Sequence, residues 1–361
     1  MRQGSCWRHA TLLILSSCAL LALQPVGAAA SAETDVEIVS IDMRGHQSNL
    51  SRSPGIDTSQ AVSGTGQIAF VSTRSGQAEI YVMTSAGRNV RQVTTSPTLG
   101  ASVATTDAGA TQPAWSPNGT RIAFDAVVAV IPQTCSHDCT RWQVETTAAD
   151  GSRLRRIAAD GRAPTWAPDG RHLAFWEGVT TLGPERWLVI ARTTGSHSPP
   201  IPAFGWDSSV GPSWSPSGRA LAFDARKTGE QAQQVRVALS DGSHARRVTT
   251  GWGPLWAPDG RHLAYILNGA LYEVSPAGTG KTRLTPRGEY VRGAAWSPGG
   301  RSLAVVVSSG SDAALRVELI GAGGTWERVL IREPAGTVPW TSPSWLPSGK
   351  AIVVSLALPR A

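Results

Sequence analysis

Charge is scarce in this chain. Asp, Glu, Lys and Arg make up 16% of its 361 residues, and only three of the 33 cations are lysine. The formal net charge of +7 is spread along the sequence without a basic block. Nucleic-acid binding needs a stripe of cations with an aromatic or helical reader, so nucleic acid is not an expected partner. Cysteine is nearly absent: there are four, and two of them, Cys6 and Cys18, lie in the first 18 residues. The chain carries no G-x-S-x-G elbow, no H-E-x-x-H and no G-x-x-x-x-G-K-[ST]. These linear motifs of hydrolases, metalloproteases and nucleotide enzymes are therefore excluded, and neither a cofactor nor a metal is expected. Beyond the first 30 residues no apolar run approaches membrane-span length, so no transmembrane span is expected.

That first segment has the build of a secretory signal peptide. Arg2 and Arg8 precede the apolar run TLLILSSCALLAL (11–23), and VGAAASAE offers small-residue cleavage sites after Ala30 or Ala32. Residues 1–32 are accordingly set apart from the fold, and the mature chain is expected to be exported. Leu15-Ser16-Ser17-Cys18 also resembles a bacterial lipobox, which would place a lipid anchor on Cys18. The apolar run continues past Cys18, which favours cleavage near Ala30 or Ala32.

What the chain has in abundance is turn formers, 38 Gly and 24 Pro, together with 14 Trp. They are organised by a repeat. PTWAPDGRHLAF (164–175) and PLWAPDGRHLAY (254–265) are nearly identical. They align with PAWSPNGTRIAF (113–124), PSWSPSGRALAF (212–223), AAWSPGGRSLAV (294–305) and PSWLPSGKAIVV (343–354). Six copies are thus anchored by Trp115, Trp166, Trp214, Trp256, Trp296 and Trp345, at spacings of 51, 48, 42, 40 and 49. A seventh, GTGQIAF (64–70), keeps the turn and strand without the Trp. Each copy is followed by a second module of strand, Gly-containing turn and short strand, as in VRVALSDGSHARRVT (235–249). WLVIARTTGSHSPPI (187–201) is a weaker copy.

Short apolar runs bounded by turns read as sheet-core strands, so each unit of 40–50 residues is one four-stranded sheet. Radial repetition of such sheets is an all-β β-propeller. The chain opens with a second-type hairpin (36–51) and closes with a first-type one (343–357). Pairing the two would complete one blade and leave no orphan edge. Seven blades are expected over 36–358, starting near 54, 113, 164, 212, 254, 294 and 343, with the last completed by 36–51. Six remain if the N-terminal segment packs elsewhere.

The repeated P-x-W-S-P-[DNS]-G-[RK]-x-[LI]-A-F resembles the WD40-like PD40 repeat of the TolB-type β-propellers, and the resemblance covers nearly all of the expected mature chain. It implies the architecture and a bacterial cell-envelope setting. Relatives of this kind carry a separate α/β domain before the propeller, or a peptidase domain beside it, and the sequence is expected to have neither. Function does not follow from the fold alone.

Within the repeat, Asp169 and Asp259 are replaced by Asn118, Ser217, Gly299 and Ser348, which share turn-forming ability but no acid–base chemistry. His172 and His262 occur in two copies only. Asp-Gly-Arg-His is therefore read as scaffold, and no catalytic residue is assigned. Cys135 and Cys139, in QTCSHDCTRW, read as a disulfide stapling a loop of an exported protein. Free thiols, or a metal site with His137 and Asp138, are the other readings.

The segments leading into each innermost strand differ between copies, as a binding face would, and in a propeller they surround the mouth of the channel. They supply Arg162, Trp206, Asp207, Trp252, Tyr290, Arg292 and Trp340, together with Asp107, Gln112, Asp160 and Glu289. Aromatics with Arg are typical interface anchors, although the Trp residues would equally serve as plugs between blades. The expected function is a monomeric binding or scaffold module for a protein or cell-envelope ligand. The alternative is a metal- or acid-dependent propeller hydrolase or lyase acting on a glycan or an ester.

Overall fold

The computed structural model describes residues 34–96, 110–130, 140–178, 186–203, 210–226, 232–309, 315–333 and 342–359. Among these residues the strands form seven four-stranded antiparallel sheets, each packed against the next around a ring, and there is no helix to cross a membrane. Blades I to VI are continuous in sequence. Their innermost strands are Asp57–Val62, Ala110–Trp115, Arg162–Trp166, Ser213–Trp214, Trp252–Trp256 and Glu289–Trp296. Blade VII takes its two inner strands, Ser344–Trp345 and Ala351–Pro359, from the C-terminal end. Its two outer strands, Thr34–Asp42 and Gln47–Asn49, come from the N-terminal segment. Thr34–Asp42 runs antiparallel to Ala351–Pro359 over nine residue pairs, so both ends of the ring are locked in one sheet. The two-plus-two closure is thus present, and the six-blade reading falls away because residues 34–49 complete a blade.

Each hairpin forms where the repeat places its turn. In blade III the main-chain amide of Gly170 donates to the carbonyl of Ala167 at 3.0 Å, and Gly170 takes a φ of 64°, which suits glycine. The Asp169 carboxylate accepts the amides of Arg171 and His172 at 2.8 and 3.1 Å, so it closes the turn as a local acceptor.

The core is a set of layers between blades. Among the described residues seven apolar clusters are found, and each joins two neighbouring blades. Trp176, Leu188 and Ile190 of blade III meet Leu221 and Phe223 of blade IV, and Ile38 and Val353 of blade VII meet Ile68 and Phe70 of blade I. The repeat Trp residues border these layers. Burying a Trp removes ~150–250 Å² from water, an upper bound of ~4–6 kcal/mol each at ~25 cal/mol/Å².

The same indoles supply a directional tie. Trp115, Trp166, Trp214, Trp296 and Trp345 donate their Nε1–H to the carbonyls of Ala61, Ala114, Thr165, Leu255 and Ala295, at 3.0 to 3.4 Å. Each acceptor immediately precedes the equivalent position in the preceding blade. The Trp256 indole finds no partner among the described residues; there the main-chain amide of Trp256 donates to the Ser213 hydroxyl instead, at 3.0 Å.

Blade I carries Val62 where the others have Trp, and its seam with blade VII is tied differently. The Gln60 amide nitrogen donates to the carbonyls of Ser342 and Val353 at 2.9 and 3.2 Å. Its oxygen accepts the Ser355 hydroxyl at 2.7 Å. The copy that lost its Trp is the one beside the closing blade, and a buried Gln holds that seam.

Candidate functional site

In an antiparallel blade the turn after the innermost strand and the turn before the outermost strand share one end of the sheet. The connections entering the innermost strands share the other end, the mouth. Innermost strands begin there with a recurring irregularity. The register slips between Thr58 and Ala61, Thr111 and Ala114, Arg162 and Thr165, and Trp252 and Leu255. Ser59, Gln112 and Ala163 take φ of 53°, 50° and 52° at these bulges, and Gly253 takes 60°. The Pro of the repeat follows in blades II, III and V, where the broken ladder has no use for an amide hydrogen. Bulges of this kind re-aim side chains and are over-represented beside functional sites.

The structure places four of the residues chosen from sequence at this end, with different surroundings. Arg162, just before the bulge of blade III, has its Nε 3.8 Å from the buried Asp125 carboxylate of blade II and its guanidinium 4.2 Å from the Trp142 ring centroid. Asp125 also accepts the Ala163 amide at 2.8 Å. Trp252 is partly buried and packs against the apolar layer between blades V and VI, to which Ile266 and Val291 belong. That places it where a plug between blades would stand. Tyr290 is 49% exposed. Its ring rests on the turn glycine of blade V, since a β-carbon at Gly269 would come within 2.6 Å of it. Arg292, two residues on, donates from Nε to the Ser308 hydroxyl at 3.1 Å. Trp206, Asp207 and Trp340 lie outside the described residues, as do Asp107, Cys135 and Cys139.

Several carboxylates at the mouth end are held by a cation or an amide, while Glu177 is raised by burial and then by the nearby Asp160 charge. Asp57 pairs with Arg74 at 2.9 Å, and burial pushes its carboxyl above the ordinary range. Asp224 takes the side-chain amide of Gln233. Arg316 bridges Glu289 and the buried Glu318, reaching Glu318 at 2.7 Å. Glu289 is raised by burial and then by the nearby Glu318 charge, against the pull of Arg316. Among the described residues no group of three or more His, Cys, Asp or Glu converges as metal ligands would. Sequence reasoning missed the Glu289–Arg316–Glu318 cluster because Arg316 and Glu318 sit in an ordinary strand pattern 27 and 29 residues from Glu289.

At the opposite end, His172 and His262 pair through Nδ1 with Asp169 and Asp259, at 2.6 and 2.9 Å. Both carboxyls lie below the ordinary range. Burial alone would raise them, and the Arg171 or Arg261 amide together with the His side chain outweighs it. The two His residues thus hold the turn acids.

Residues 119–358 match the family model described as TolB beta propeller domain. A comparison with curated proteins finds no match. Among solved structures, the putative TolB from Agrobacterium tumefaciens is similar at 16% identity and a TM-score of 0.54, over 91% of this chain and 99% of that one. A puromycin-hydrolyzing peptidase from Mycobacterium tuberculosis is similar at 16% identity and a TM-score of 0.54, over 82% of this chain and 48% of the peptidase. The propeller domain of the Trilobed protease from Pyrococcus furiosus gives 13% identity and a TM-score of 0.51, over 81% and 85%. At such identities the structures show a shared fold and nothing of activity. The family match spans well over half of the chain and falls on the blades described above: this protein belongs to the TolB β-propeller domain family.

Proposed function

We propose that the protein is an exported, non-catalytic binding module that holds a protein or cell-envelope ligand against the mouth face of its ring. One observation carries this reading. Asp57, Asp125 and Glu318 at the mouth end are engaged in structural pairs, while Tyr290 stands exposed beside Arg292 on blade VI. A rigid aromatic with a neighbouring Arg is the composition of an interface anchor. Trp206, Asp207 and Trp340 would join it from the segments entering blades IV and VII. Residues 1–32 act in this reading as the signal peptide, Cys135 and Cys139 form a disulfide, and the protein works as a monomer.

The test is crosslinking and affinity capture from envelope extract, comparing wild type with a Tyr290→Ala, Arg292→Ala variant. Trp252 is left intact because its ring packs against the layer between blades. Loss of a captured species from a folded variant is the expected result, and an identical capture profile would sink the reading. A second reading, an acid-dependent hydrolase or lyase acting on a glycan or an ester, finds its support in Glu289, whose carboxyl is raised beside Glu318. Turnover abolished by Glu289→Gln would favour it.

A further inference from the structure

The face opposite the mouth holds a cavity of about 460 Å³ between blades III and IV, within the ~300–1,000 Å³ of small-molecule sites. Its origin can be traced along the repeat. In three other blades the first Arg of the outer strand reaches across to a turn carbonyl of the next blade. Arg91 reaches Ala149 at 2.9 Å, Arg155 reaches Thr194 at 2.7 Å and Arg246 reaches Pro276 at 2.8 Å. The aligned position in blade III is Pro199, in the weak copy TTGSHSPPI. Proline has neither the reach nor the amide for the ladder, and the outer strand there starts only at Ile201, two residues on. The turns pack less closely as well. A β-carbon at Gly87 or Gly151 would meet the main chain of the preceding blade at 2.5 or 3.1 Å, whereas one at Gly242 meets the Ile201 side chain at 3.2 Å and the main chain, at Pro199, only at 3.9 Å.

The gap is lined by chemistry of both signs over an apolar floor. Trp214 and Ile190 supply the floor, Arg192, His172 and His197 the donors, and Asp169 and Asp241 the acceptors. Because Asp169 takes Nδ1 of His172, the other ring nitrogen is left for a ligand. The second copy of the hairpin shows what an occupied version of the position looks like. In blade V, Glu273 stands where blade III has Ile190; it lies 3.6 Å from His262 and accepts the amide of Gly323 in blade VI at 3.0 Å. The same hairpin is thus closed in one blade and open in the other.

We propose that this cavity is a saccharide-binding site taking one or two pyranose units. A sugar offers an apolar C–H face to Trp214 and a ring of hydroxyls that donate to Asp169 and Asp241 and accept from Arg192 and His172. A bare anion would meet two carboxylates, and an apolar ligand would make no polar contact with the exposed Arg192, His197 and Asp241. The site is separate from the mouth and stands or falls without the reading given for that face.

Saturation-transfer NMR tests it, with methyl β-D-glucopyranoside, methyl β-D-galactopyranoside, N-acetylglucosamine and cellobiose as probes and glycerol as the control polyol. Transfer to at least one sugar and none to glycerol is expected. At matched concentration the signal should fall at least five-fold in Arg192→Ala and in Pro199→Arg, which restores the tie across the gap. Arg192 and Pro199 are both exposed, so the variants should fold, and circular dichroism checks that they do. Silence from all four sugars overturns the proposal, and so does transfer that is unchanged in both variants. Tyr290→Ala, at the mouth, should leave the signal as it is.

Discussion

Replacing Gln60 by leucine should weaken one seam of the ring in a measurable way. Gln60 is 6% exposed and Ser355 is fully buried. The substitution keeps the side chain's bulk and removes two donated hydrogen bonds and one accepted bond across the blade VII–blade I junction. The Ser355 hydroxyl and the Ser342 carbonyl are then left without these partners. An unsatisfied buried polar group costs about 1–3 kcal/mol, and removing the amide's own desolvation returns part of that. The expected net loss is about 2–4 kcal/mol, read from the urea midpoint at constant slope. Coupling identifies the cause. Ser355→Ala should destabilise the wild type by about 1 kcal/mol and should be neutral or favourable in the Gln60→Leu background, where the hydroxyl is already stranded. Hydrogen exchange should accelerate first in Asp57–Val62 and Ala351–Pro359. A Gln60→Leu protein within about 0.5 kcal/mol of wild type, or strictly additive single and double variants, would refute the assignment of this seam to Gln60.

Three further expectations follow from the geometry. Trp166→Phe removes an indole bonded to Ala114, and Trp256→Phe removes one with no partner among the described residues, so the first should cost about 1 kcal/mol more in the urea midpoint; equal costs would count against the indole tie. Asp42 is held down to about 2, first by the His46 amide, so its contribution is complete above the unfolded value and is lost as pH falls toward the folded one. The difference in midpoint between wild type and Asp42→Asn should therefore be constant above about pH 4 and close between that pH and about 2; a difference unchanged at the acid end would contradict the pairing. Mass spectrometry of the exported protein should show an N-terminus after Ala30 or Ala32 and a Cys135–Cys139 peptide that resists alkylation until reduced. Recovery of a lipidated Cys18, or of alkylated thiols without reduction, would overturn the corresponding reading.

Much of the architecture was legible because a propeller repeats one local solution. The Pro-Asp-Gly turn, the alternating strands and the Trp recur at fixed offsets, so their periodicity survives the drift of individual copies. Complementary half-blades at the two ends were enough to imply the closure. The ties between blades were hidden, since each joins residues about 40 to 55 positions apart whose partners are main-chain carbonyls common to every residue. Nothing in the spelling of Gln60 marks it as the substitute for a missing Trp nearly 300 positions from Ser355. Among the candidates at the mouth, sequence chose Arg162, Trp252, Tyr290 and Arg292 alike because all precede an innermost strand. Only packing separated the exposed Tyr290 from Trp252, which borders a core layer, and from Arg162, which meets a buried carboxylate.

The repeated APDGRHLA divides in the same way. Its turn chemistry is local, carried by Asp and Gly within four residues, and the sequence alone determined that it is scaffold for a hairpin. Whether that hairpin faces a filled seam or a cavity depends on whether Ile190 or Glu273 stands in the strand that follows. Either residue meets the next blade only when the blades stack, so the tertiary structure alone decided that one copy is closed and the other open.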